Sequence, residues 1–152
     1  MTTTMPPTGF LHLVVGYDGS PPASRALDGA VRLLQGRIGR INVVYVAHLS
    51  SLDMLSPGAI AEMEKAFDEM EQELRAQAAE QLHASGAAWE FERRQGIIAD
   101  ELIAAATAIG EAHSGEAVAI VVGSSSHAIR RMVGSVAVGL ARHSPVPLII
   151  VP

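Results

Sequence analysis

The chain has 152 residues, 49% hydrophobic and 18% charged, with a net charge of −5; this suits one domain with enough apolar material for a core. The apolar residues fall in short separate runs, which excludes a helical membrane span, and the acidic balance removes the broad positive footprint of a nucleic-acid binder. With no cysteine, disulfides, thiolate catalysis and cysteine-based zinc sites are absent too.

Residues 1–9 carry no Lys or Arg and no apolar stretch of signal-peptide length. They read as a flexible lead to a single domain over 10–152, and a cytoplasmic location is expected. Phe10 to Gly16 is short, apolar and β-branched toward its end, as in a strand buried on both faces of a parallel sheet. Tyr17-Asp18-Gly19-Ser20-Pro21 follows: Gly19 supplies a turn, Ser20 can cap a helix, and Pro21 fits a first helical turn. Asp18 is thereby left at the carboxyl end of strand 1. Ala23, Ala26, Leu27, Ala30, Val31 and Leu34 then recur at helical spacing, with Gly36 and Gly39 as the stop.

Arg40 to Val46 is the second strand, and His48 to Gly58 reads as a loop. From Ala59 to about Ser85, the positions Ile60, Met63, Phe67, Met70, Leu74 and Ala78 trace an amphipathic helix whose stripe is expected to cover the sheet. Its acids, among them Glu62, Glu64 and Asp68, read as a solvated face. Ala87 to Arg93 alternates like an edge strand with one wet face. A third helix runs from Ile97 to about His113. Ala117 to Val122 is a fourth strand, Ser135 to His143 a fourth helix, and Val146 to Val151 a last strand whose Pro147 prefers an edge or a strand start.

Five strands alternating with four helices predict an α/β, Rossmann-like, doubly wound parallel sheet of order 3-2-1-4-5 with helices on both faces. That order sets strand 1 beside strand 4, so Asp18 and the loop after Gly123 meet at the topological switch point, where open α/β sheets bind ligands. The N–H groups opening the helix at Gly134-Ser135 favour an anion there. Bland readings compete at each point. Asp18 could cap its own turn, Ser124 to Ser126 could be a solvated loop, and Arg130 and Arg131 could be an exposed pair. The six histidines show no ligand spacing, and no metal site is expected.

Val14 to Ser20, Val43 to Val46, and Val121-Val122-Gly123 through Gly134-Ser135-Val136 to Pro147 resemble the universal stress protein family, over nearly the whole chain. The resemblance implies a Rossmann-like fold, homodimers formed through the C-terminal strand Val146 to Val151, and a stress-response sensor or modulator that binds ATP or another adenine nucleotide. It implies that Asp18 hydrogen-bonds the ribose or adenine side, that Val46 offers its backbone to the adenine, and that Gly123, Ser124, Gly134, Ser135 and Val136 bracket the phosphates. The phosphate loop departs from the family pattern. Ser126 stands in place of the second glycine, and ten residues separate Gly123 from Gly134, two fewer than the pattern. The serine hydroxyls and the charges of Arg130 and Arg131 are candidate compensation. No carboxylate lies between Gly123 and Ser135, which leaves Mg²⁺ open.

Nothing near the loop resembles an activated nucleophile or general base, so at most slow ATP hydrolysis is expected. The alternative is a dimeric interaction module of the same fold with a vestigial loop. An adenylating synthetase is disfavoured because the SGGxDS and HIGH signatures are missing.

Overall fold

The computed structural model describes residues 9–48, 55–124 and 134–152. They form, in chain order, β1 (Leu11–Gly16), α1 (Pro21–Leu34), β2 (Gly39–Ala47), α2 (Pro57–Leu82), β3 (Ala88–Gln95), α3 (Ile98–Ala112), β4 (Ala117–Gly123), α4 (Ser135–His143) and β5 (Leu148–Val151). The strands make one parallel sheet of order β3-β2-β1-β4-β5, as the sequence predicts. Leu11 to Gly16 runs in register with Gly39 to Val44 on one side, and Leu11 to Val15 with Ala117 to Val121 on the other.

Both faces of the central strands are covered, which is why they read as unbroken apolar runs. Leu13, Val15, Ile41, Val43 and Val121 pack with α1 and with Leu74, Ala78 and Leu82 of α2. Val14, Val44, Ile120 and Val122 pack on the other face with Leu102 and Ala106 of α3 and with Ala137 and Leu140 of α4. The chain builds outward from β1 through β2 to β3, then returns to β4 and β5. The crevice between the ends of β1 and β4 is therefore the switch point.

Three expectations need correction. The apolar stripe of α2 covers the sheet only in its second half: Leu74, Ala78 and Leu82 are buried, whereas Ile60 and Met70 are exposed. A helix of 26 residues is about 39 Å long, against roughly 30 Å for the nine-residue β2, so it overruns the sheet. Its α-helical part ends at Leu82, and a 3₁₀ turn, His83–Ser85, carries the chain to Gly86 at φ 68°. Finally, β5 starts at Leu148 rather than Val146. The Ser144 hydroxyl donates to the Val146 carbonyl at 2.8 Å and accepts its N–H at 3.3 Å, and Pro147 has no N–H to give.

Candidate functional site

A cleft of about 430 Å³ opens at the carboxyl ends of β1, β2 and β4, a size typical of small-molecule sites. Among the expected residues, Asp18, Val46, Gly123, Gly134, Ser135 and Val136 line it. Ser126, Arg130 and Arg131 lie outside the described residues. The main chain of Ser124 is committed to the fold: its N–H donates to the Val151 carbonyl at 2.8 Å, and its carbonyl accepts from Arg25 at 3.1 Å.

The β1 turn positions Asp18. Its Oδ1 accepts the Ser20 N–H at 3.0 Å, an Asx turn made possible by Gly19 at φ 78°. The carboxylate is exposed rather than buried, so it faces the cleft without the desolvation cost of an enclosed charge. Beside it, Tyr17 is 5% exposed. Burial, and secondarily the negative charge of Asp18, push its hydroxyl above the ordinary value of 10.0.

Val46 presents its main chain because β1 ends before β2 does. The Val44 carbonyl accepts the Tyr17 N–H at 2.9 Å, and the Ala47 carbonyl accepts from Gly96 on the β3 side. Polar groups of a strand alternate in direction, so Val46 faces the same way as Val44, past the last β1–β2 pairing at Gly16 and Val44.

Three helices start at the cleft; α3 opens there without a side-chain cap, behind the apolar Ile98, and the starts of α1 and α4 differ. Ser20 caps α1; Pro21 and Pro22 have no N–H, the Ala23 N–H is taken by Ser20 Oγ at 3.3 Å, and that of Ser24 by the Ser20 carbonyl. That end has no donor to spare. In α4 the cap is Gly134, with no side-chain hydrogen bond, and the first helical bond runs from Val138 N–H to the Gly134 carbonyl. The N–H groups of Ser135, Val136 and Ala137 have no partner among the described residues, and the helix dipole adds partial positive charge there.

Gly123 brings these parts close. A β-carbon at this position would run into the carbonyl and Cα of Pro22, so β4 and the start of α1 can meet only over a glycine. Sequence reasoning missed the apolar wall: Val44, Ile98, Leu102 and Val122 also line the cleft. The signal was indirect, since Ile98 and Leu102 are spaced as one face of a helix that begins on the same side of the sheet as the cleft. The cleft is thus apolar beside β2 and α3 and rich in donors beside β4 and α4.

The sheet order and the switch-point cleft beside the open start of α4 define a Rossmann-like α/β protein with a cleft of small-molecule size. The family model described as "Universal stress protein family" matches residues 9–152, and the chain belongs to that family. Among solved structures it is similar to the universal stress protein UspA from Lactobacillus plantarum, with a TM-score of 0.71 and 20% identity over 93% of this chain and 97% of that one. A universal stress protein in complex with cAMP gives a TM-score of 0.66 and 23% identity, over 95% and 99%. A family protein from Arabidopsis thaliana with AMP bound gives 0.62 and 13%, over 93% and 90%. No curated protein matches the chain significantly.

Proposed function

We propose that this chain binds an adenine nucleotide in the switch-point cleft and acts as a nucleotide-dependent stress-response modulator. The observation that carries the reading is the contrast between the starts of α1 and α4. One is filled with proline and capped; the other offers three amides to an anion, next to a glycine-enforced narrow approach. The apolar walls from Val44, Val46, Ile98 and Leu102 suit a flat base at the far end, and strands β2 and β4 lie about 10 Å apart, two strand spacings. In this pose the Val46 main chain meets the base edge, Asp18 accepts from the ribose hydroxyls, and Gly123, Gly134, Ser135 and Val136 hold the phosphates. Two similar structures hold AMP and cAMP, and the reading extends that ligand class to this chain, with ATP as the fullest member.

The test is calorimetric titration with ATP, AMP and adenosine. Ser135→Pro removes one amide and one hydroxyl from the phosphate end, yet it keeps the helix start, because proline suits the first helical position and Gly134 is already extended at ψ 159°. A charge-assisted hydrogen bond contributes about 1.5 to 3 kcal/mol, so this variant should bind ATP roughly tenfold to a hundredfold more weakly. Adenosine should change little. Asp18→Asn, which keeps the turn acceptor and loses the charge, should weaken all three ligands by a similar factor. If the wild type binds none of them, the dimeric interaction module replaces this reading.

A further inference from the structure

At the opposite end of β1 and β4, three side chains distant in sequence converge. His12 is the second residue of β1, His113 caps the C-terminus of α3, and Glu116 immediately precedes β4. The register that pairs Leu11 with Ala117 and His12 with Val118 sets Glu116 beside His12. The Glu116 N–H donates to the His113 carbonyl at 3.1 Å, and this turn holds the other two side chains together. We propose that His12, His113 and Glu116 form a binding site for a divalent transition-metal ion, with zinc the best match.

The geometry supports a common centre. Glu116 Oε2 lies 2.5 Å from His12 Nε2 and 3.4 Å from His113 Nδ1, and one donor atom from each residue falls within 4.8 Å of the others. Around a tetrahedral zinc with bonds of about 2.0 to 2.1 Å, donors stand roughly 3.3 Å apart. The His113–Glu116 pair is already at that separation. The His12–Glu116 pair must open by about 0.8 Å, which a side-chain rotation of the partly exposed Glu116 can provide. Two imidazoles with one carboxylate are a ligand set that zinc uses with water in the fourth position. Water has access, because the His113 side chain is 48% exposed and that of Glu116 21%.

His12 is 3% exposed, on the face where Val14 and Val118 pack, and its Nδ1 has no hydrogen-bond partner among the described residues. A polar ring in such a place costs stability unless its nitrogens are used; Nε2, already bonded to Glu116, is the nitrogen that faces the cluster and would take the ion. The ring proton would then sit on Nδ1 without an acceptor. Zinc-bound histidines that lack such a partner typically lose 10- to 100-fold in affinity, so the site should bind more weakly than one whose histidines are both so partnered.

The test uses the full chain without an affinity tag, titrated calorimetrically with zinc chloride alone. One zinc per chain is expected. His113→Ala and Glu116→Gln, both outside the strands and helices, should weaken binding at least tenfold with an unchanged circular dichroism spectrum, while His83→Ala, on the 3₁₀ turn, should bind like wild type. X-ray absorption of the wild-type zinc complex should show two imidazoles, and this measurement needs no variant. Absence of zinc binding by the wild type, wild-type affinity in both cluster variants, or fewer than two imidazoles on the zinc would each overturn the proposal. The proposal is independent of what the cleft holds.

Discussion

Oδ1 of Asp18 already accepts the Ser20 N–H, and the carboxylate keeps acceptor capacity for a ligand, since each of its oxygens has two lone pairs. The turn-capping and ligand-binding readings of this residue are therefore compatible. The hydrogen bond restrains the side chain beside the cleft, so less entropy is lost when a ligand arrives. The same charge acts on the adjacent Tyr17. Burial first, and Asp18 second, disfavour the phenolate. A tyrosine whose folded pKa is raised contributes stability that is complete below its ordinary value of 10.0 and is lost as pH climbs from there through the raised value. We expect urea unfolding to show a fall in stability above pH 10.0 that Tyr17→Phe reduces relative to its own stability at pH 8. Parallel pH profiles of variant and wild type would show that Tyr17 ionisation plays no part.

Among the elements, the contact between β4 and α1 is the tightest constraint on the cleft. Gly123→Ala would set a methyl group against the Pro22 backbone, which cannot rotate away as a side chain could. Either β4 or the start of α1 must shift. Overpacking of this kind costs about 3 kcal/mol, and the shift would spoil the ligand approach. The expected result is a lower urea midpoint together with loss of nucleotide binding; unchanged stability would mean that the two elements separate freely. Much of this was legible in the chain. The alternation of β-branched runs with helical periods gave the five strands and four α-helices found among the described residues, and the strand order, because each period follows from which faces are covered. Asp18 and Gly134 could be located because strand ends and helix starts carry turn residues with distinct chemistry. The His12–Glu116 contact could not, since it spans 104 positions and depends on the β1–β4 register. Equally hidden was the use of Ser124's main chain by Val151 and Arg25, because hydrogen bonds made by the backbone leave no mark on residue type.

At the scale of the whole molecule, the two outer strands of the sheet among the described residues have opposite characters. On β3, Glu90, Glu92, Arg93 and Arg94 line the outer strand. Arg93 bonds Asp68 of α2 at 2.6 Å and Arg94 bonds Glu101 of α3 at 2.8 Å, so charges from both neighbouring helices tie it down. Charged edge strands resist pairing with another sheet. The other edge, β5, is Leu148-Ile149-Ile150-Val151, without a single charge. Proteins usually cover such an edge, and a two-fold dimer, the commonest soluble oligomer, is one way to do so. We therefore expect a homodimer through β5. The face each residue takes decides the test. Ile149 and Val151 pack inward against the α1 and α2 core, whereas Ile150 is 37% exposed. Ile150→Lys should shift the mass measured by light scattering at micromolar concentration from dimer to monomer with little change in monomer stability. Ile149→Lys should instead lower stability, because it puts a charge into packed apolar surroundings. A wild type that stays monomeric as its concentration is raised, or an Ile150→Lys variant that remains dimeric, would remove β5 as the interface.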